Sequence, residues 1–257
     1  MTRYQQLERD FVTPDFYRTA FNESTTRIAE LAAEDHEVVI PHIPDWTASN
    51  AIIHVGLVFS FVNQSIRQGA PVGQKGVAAW ANDPANQPDT SELSPWFQSV
   101  ADALNDAIWM HQPDDQVWTS SQQIHTAKFW MRRMTQEAAM HRWDIEAAHG
   151  DTHPINAELA VDGINEFYDF FIAERLPEAF SGDGSVHLHA TDAEGEWMVT
   201  RRSNGITVEK THGKGDVAAR GSASDLLLFV WNRKLHTALE TFGNTELLEE
   251  HQRLLQI

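Results

Sequence analysis

The sequence contains no cysteine among its 257 residues. Disulfide bonds, a catalytic thiolate of the protein itself and thiolate metal ligands are therefore excluded. Any bound metal would have to be held by histidine, aspartate or glutamate, and the chain has 13 histidines. Any thiol chemistry would need a thiol that comes from outside the chain.

Positive charge is also scarce, with 19 Lys and Arg against 37 Asp and Glu, a formal net charge of −18. Binding to nucleic acid or to an anionic membrane surface is not expected, because both require a basic surface. No stretch of 18 apolar residues is present, so no membrane-spanning segment is predicted. The polar N-terminal stretch lacks the pattern of a secretory signal, and we expect a cytoplasmic protein.

The first 150 residues predict four helices with long connections, a pattern typical of a four-helix bundle. The stretch 69–90 is rich in Gly, Pro, Asn and Asp and predicts a long loop. Residues 126–149 predict the fourth helix, which stops at Gly150. The first three helices begin at cap signals, namely Thr13-Pro14, Thr47 and Ser94-Pro95.

Beyond residue 150 the pattern becomes mixed. One helix is predicted over 156–180, followed by short alternating strands and then helices over 226–231 and 245–255. This is the pattern of an α+β domain. We place the boundary where Gly150, Asp151 and Pro154 cluster, giving domains of 1–152 and 153–257. The strands are predicted over 185–190, 196–201, 205–209 and 216–220.

Ligand-type side chains occur at helical spacing in the fourth helix. Glu137 and His141 are four residues apart and share one face, with Arg133 one turn before them and Asp144 three residues after. One interpretation is a surface ladder of ion pairs through Arg133, Glu137 and His141. The other is a set of metal ligands, with Asp144 fixing the tautomer of a ligating histidine.

His54 lies on the predicted core-facing stripe of the second helix, with Leu57, Val58 and Phe61. A buried imidazole needs a partner, since an unpaired buried polar group costs about 1–3 kcal/mol. It is either a core histidine bonded to a carbonyl or carboxylate, or a third metal ligand facing Glu137 and His141. Two histidines and one glutamate would leave one position of a zinc site open, although the donor types also suit manganese, iron, cobalt and nickel.

Five other histidines give weaker signals. His187 and His189 are two apart on one predicted strand and share a face, where an ordinary sheet surface is favoured over a metal site. His42 is expected in a loop, and His125 and His149 at helix ends.

Several motifs together resemble the mycothiol-dependent maleylpyruvate isomerase family, in the right order and over nearly the whole chain. In the predicted bundle they are Pro44-Asp45-Trp46-Thr47 followed by Ile53-His54, and the run from Met134 to Asp144. In the second half they are the run from His187 to Asp192, Gly195-Glu196-Trp197, and the run from Arg220 to Leu228.

The resemblance implies a DinB-like four-helix bundle with a divalent metal, usually zinc, followed by a small α+β domain similar to sterol carrier domains. The family ligands correspond to His54, Glu137 and His141. Mycothiol is implied as cofactor or co-substrate, with no residues assigned to its binding. Arg220 is the expected counterpart of a catalytic arginine, with Arg233 as the second choice. The chain departs from the family at Asp45, where glycine is common, and in the 69–90 loop. Because this loop could reshape the entrance for the substrate, the resemblance does not identify the substrate.

The expected mechanism is activation of the thiol by the metal, followed by attack on a small electrophile. Either cis–trans isomerisation of a maleylpyruvate-like compound or S-transfer would result, from a monomer or weak dimer. The alternatives are a metal-dependent hydrolase that uses water on the same three ligands, and a non-enzymatic protein that binds a small molecule.

Overall fold

A computed structural model describes residues 12–72, 76–175, 183–203 and 205–254. The chain divides into two units, with the division between His153 and Pro154. The first unit is helical and the second contains a five-stranded sheet, which confirms the predicted two-part α+β fold.

Four long helices form the bundle of the first unit. Helix α1 packs mainly against α5, and α2 mainly against α4, while α2 also contacts α5. A short antiparallel hairpin, β1–β2, leads into α2. The elements are α1 (Pro14–Leu31), β1 (Val39–Ile40), β2 (Ile43–Thr47), α2 (Ala48–Gln68), α3 (Gly76–Ala81), α4 (Leu93–Trp109) and α5 (Ala127–His149).

The ends of these helices follow from local signals in the sequence. Thr13 caps α1, where its side chain accepts a hydrogen bond from the Phe16 N–H. Thr47 and Asn50 form a reciprocal capping box at the start of α2, which fixes the direction in which this helix leaves the hairpin. Gly150 ends α5 with φ 74°, a left-handed conformation that glycine adopts without steric cost.

The prediction of a loop over 69–90 is partly wrong, because this segment contains the short helix α3 and 3₁₀ turns at Pro84–Asn86 and Thr90–Glu92. A helix this short is marginal by itself and depends on tertiary contacts. The Trp80 ring of α3 lies edge-on to Phe61 of α2, with ring centroids 5.9 Å apart. Such a contact between distant residues leaves no periodic signal in the sequence.

The second unit begins with α6 (Ala157–Glu166), which continues as a π-helix over Phe167–Arg175. The predicted helix over 156–180 is therefore correct in position but not in type throughout, and its last residues lie outside the described ranges. The remaining elements are β3 (Gly184–Ala190), β4 (Glu196–Arg202), β5 (Gly205–Glu209), β6 (Val217–Gly221), α7 (Ala223–Val230), β7 (Glu240–Gly243) and α8 (Glu246–Leu254).

The sheet has the strand order β5-β4-β3-β6-β7. Strands β3 and β6 are parallel, and the other neighbours are antiparallel. The alternation predicted for β3 is present: Val186 and Leu188 are fully buried in the core, and His187 and His189 therefore project from the opposite face. Strand β7 was not predicted, because its four residues are largely exposed and show no apolar alternation.

Within the described ranges, none of the helices has both the length and the hydrophobicity that crossing a membrane would require.

Candidate metal centre

Helices α2 and α5 bring His54, Glu137 and His141 together. Oε1 of Glu137 lies 3.3 Å from Nε2 of His54 and 3.5 Å from Nε2 of His141. Two ligand atoms bound to one zinc at tetrahedral angles are about 3.4 Å apart, given zinc–ligand distances of about 2.1 Å. The two imidazole nitrogens and the carboxylate oxygen therefore have the spacing and donor chemistry that suit a divalent metal.

Arg133 completes the line along α5, where its Nη2 donates to Oε2 of Glu137 at 3.0 Å. The contacts of the ion-pair ladder are thus present, but the side chains of Arg133, Glu137 and His141 are mostly buried rather than on an open surface. Arg133 occupies one carboxylate oxygen, while the other faces both histidines.

His54 is less buried than its predicted position on the core stripe of α2 implied. The core face of this helix is formed by fully buried residues such as Ile52, Val55 and Phe59. The His54 side chain is 40% exposed at the edge of that face. The centre is therefore accessible to a small molecule from the side of His54.

A second carboxylate, that of Asp144, contacts His141 on the side of the imidazole ring away from Glu137. Oδ2 of Asp144 lies 2.9 Å from Nδ1 of His141, on the ring nitrogen that does not face Glu137. The other oxygen of Asp144 lies 2.7 Å from Nε2 of His42, in the turn of the β1–β2 hairpin. Asp144 thus lies beside His141 as its spacing predicts, whereas no pattern in the sequence pointed to His42.

The electrostatics of the centre stabilise the charged forms of both residues of α5. Burial raises the pKa of Glu137, but hydrogen bonds from His141 and His54 and the charges of His141 and Arg133 outweigh it and hold that pKa well below its usual range. Burial lowers the pKa of His141, but its bonds to Asp144 and Glu137 and their charges raise it to about 9. A metal that binds Nε2 of His141 must therefore displace a proton at neutral pH.

Trp46 of β2 forms an aromatic wall beside the centre. Its ring centroid lies 5.2 Å from that of His54, and its ring is stacked 6.4 Å from that of His141. The hairpin contributes both His42 and Trp46. Its strands are too short to show the alternation of apolar and polar residues from which a strand is predicted.

The two arginines considered from the sequence lie in the second unit. Arg220 lies on β6, opposite Glu240 of β7, and its exposed side chain is 3.4 Å from that carboxylate. Arg233 follows α7, and its Nη1 donates to the backbone carbonyl of Trp231 at 2.9 Å.

Residues 17–146 match the model of the mycothiol maleylpyruvate isomerase N-terminal domain, and residues 158–250 match the model of the C-terminal domain of the same enzymes. None of the curated proteins matched the sequence.

Two similar crystal structures are of the mycothiol-dependent maleylpyruvate isomerase, one of them a point mutant. The mutant is 13% identical with a TM-score of 0.65, and the other is 15% identical with a TM-score of 0.62. Each alignment covers 94% of this chain and 95% of the other. At this identity the structures establish a common fold, while the matches to both domain models establish the family. The chain therefore belongs to the mycothiol-dependent maleylpyruvate isomerase family of enzymes.

Proposed function

We propose that the protein is a metal-dependent enzyme that uses mycothiol to act on a small electrophile. The observation that carries the proposal is the convergence of His54, Glu137 and His141 at distances suited to one divalent ion. Family membership supports mycothiol as the thiol, and the absence of cysteine from the chain is consistent with a thiol supplied from outside.

The ligands proposed for the metal are Nε2 of His54, Oε1 of Glu137 and Nε2 of His141, and zinc is the metal that we expect. These three ligands leave a coordination position for a small molecule. When bound, the ion supplies positive charge that favours the thiolate form of a neighbouring thiol at neutral pH.

Other side chains hold this arrangement in place. Arg133 donates to the second oxygen of Glu137 and keeps that carboxylate oriented toward the histidines. The carboxylate of Asp144 lies 2.9 Å from Nδ1 of His141, which leaves Nε2 as the nitrogen directed toward the proposed ion. The exposed side of His54 gives the thiol and the electrophile a way in.

In the proposed isomerisation, the thiolate adds to a cis double bond conjugated to a carbonyl, and the displaced electron pair moves onto the carbonyl oxygen as an enolate. The former double bond is now a single bond and rotates. The enolate then expels the thiolate, which forms the trans double bond and regenerates the thiolate. In a transfer reaction the adduct would instead leave with its new carbon–sulfur bond. We assign Arg220 to contact with the anionic substrate or the thiol, because its guanidinium is exposed and its ion pair with Glu240 lies on the surface.

Product analysis tests this proposal. Metal-loaded protein is incubated with mycothiol and either maleylpyruvate or a panel of electrophiles, and products and remaining thiol are measured by mass spectrometry. Isomerisation predicts a product of unchanged mass with no loss of thiol, and transfer predicts one thiol consumed per product. Turnover that needs no thiol would contradict both reactions and favour a hydrolase that uses water.

A further inference from the structure

A second group of ligand-type side chains lies in the C-terminal unit, on the sheet face opposite the core. His187 and His189 project from β3. Glu196 begins β4 directly opposite His189 in the antiparallel register. His212, in the segment between β5 and β6, approaches the same point from outside the sheet.

Three imidazole rings converge on the one carboxylate. Oε2 of Glu196 lies 3.0 Å from Nε2 of His187 and 2.8 Å from Nδ1 of His212, and Oε1 lies 3.1 Å from Nδ1 of His189. The four ligand atoms all lie within 4.8 Å of one another. Since tetrahedral zinc ligands are about 3.4 Å apart, small side-chain rotations would bring all four to bonding distance of one ion.

The charge and the donor atoms of this cluster suit a transition-metal cation. Glu196 contacts all three histidines and, as a carboxylate ionised at neutral pH like an ordinary glutamate, supplies the negative charge of the cluster. Three imidazole nitrogens and one carboxylate oxygen form a donor set that binds zinc, cobalt or nickel in preference to calcium or magnesium.

We propose that His187, His189, Glu196 and His212 form a second divalent-metal site, which binds zinc or a similar transition-metal ion. Four protein ligands fill a tetrahedral site, so this site is structural rather than catalytic. It ties the segment after β5 to strands β3 and β4. The sequence favoured an ordinary sheet surface for the two histidines of β3, because nothing in it placed His212 beside them.

The test counts the zinc ions bound by full-length protein after its metal has been removed with a chelator. The variant Glu137→Ala/His141→Ala removes ligands of the bundle centre, and equilibrium dialysis with elemental analysis should still find one zinc per chain. Adding His189→Ala and His212→Ala should weaken the remaining zinc binding by roughly tenfold or more, a loss typical even for partners of metal ligands. Adding His153→Ala instead, at an exposed histidine of the other unit, should leave zinc binding unchanged.

The single change His212→Ala keeps the proposal testable if the larger variant is unstable, because this side chain is 79% exposed. It should reduce the rise in melting temperature that zinc produces in the Glu137→Ala/His141→Ala parent. No zinc binding by that parent, or equal affinity after loss of His189 and His212, would overturn the second site. Neither result would bear on the centre in the bundle, whose ligands the parent already lacks.

Discussion

Oδ2 of Asp144 lies 2.9 Å from Nδ1 of His141, and the carboxylate is completely buried. This contact fixes which nitrogen of His141 faces Glu137, since the other one is already engaged. His42 holds the second oxygen of Asp144, so the hairpin before α2 and helix α5 are joined through one carboxylate. The proposed ligand is thus oriented by groups that do not themselves face the ion.

Loss of Glu137 should remove the metal from the bundle centre. Glu137→Ala deletes one of three proposed ligands and the negative charge that balances the ion, and His141→Ala deletes another. With the second site disabled by His189→Ala/His212→Ala, elemental analysis should find zinc well below one per chain in both variants. Glu23→Ala, an exposed position on α1, is the matched control and should retain full zinc. Full zinc in both ligand variants would show that the assignment is wrong.

Asp144→Asn should weaken zinc binding at the bundle centre without removing a ligand. The amide carries no charge to support His141, and loss of such a partner typically costs about 10–100-fold in metal affinity. Competition with a chromophoric chelator, again with the second site disabled, measures the dissociation constant. Asp106→Asn on the exposed face of α4 serves as control. An affinity equal to that of the control would mean that the Asp144–His141 contact does not support the metal.

Arg220→Ala should lower kcat/KM by roughly tenfold or more, the effect of losing one charge-assisted hydrogen bond to a substrate. Glu240→Gln provides the control, because it disrupts the Arg220–Glu240 ion pair but keeps the arginine. The glutamine variant should therefore retain nearly normal kinetics. Equal kinetics in Arg220→Ala and the wild type would remove this arginine from the proposed site.

The C-terminal unit should lose stability as the pH falls from 7 to 5, in part because of His251. Burial, together with the charge of Arg201, lowers the pKa of His251 from 6.5 to about 3. Below pH 6.5 the imidazole of His251 is protonated in the unfolded chain, whereas in the folded chain it stays neutral down to about pH 3. The free energy of unfolding therefore declines as the pH falls from 6.5 to 3. The contribution of His251 to this loss between pH 7 and 5 is about 2 kcal/mol.

Chemical denaturation at both pH values measures this effect, with His251→Gln as the comparison. Glutamine can accept the hydrogen bond that Tyr168 shares with Nε2 of His251 at 3.1 Å, but it does not titrate. Its stability should therefore depend less on pH than that of the wild type. An identical pH dependence in the two proteins would show that His251 does not remain neutral in the folded state.

Local signals in the sequence were enough to predict the helical bundle and two of the three proposed metal ligands. The cap at Thr47 and the stop at Gly150 define α2 and α5, and helical spacing alone places Glu137 and His141 on one face. Helix α2 and the strands β3 to β6 follow from similar local patterns. The pattern of α2 left His54 as either a core histidine or a third ligand, and the resemblance to the isomerase family, confirmed by both domain models, favoured the third ligand.

The remaining features depend on contacts between residues far apart in the sequence. His42 and Asp144 are 102 residues apart, and only the packing of the hairpin against α5 brings them together. His212 joins the histidines of β3 in the same way, through the course of a connecting segment. The π-helix over Phe167–Arg175 has the same apolar residues as an ordinary helix, so periodicity did not distinguish it.

The central claim is that the protein uses a metal centre to activate an external thiol. The most direct test is the initial rate of metal-loaded protein, with a substrate found by product analysis, measured over a series of mycothiol concentrations. We predict that the rate rises and saturates with mycothiol, and that glutathione is a poor substitute, because its carboxylates would lack partners in a site shaped for a neutral sugar thiol. A rate that is the same without thiol, or that falls as mycothiol is added, would contradict the account.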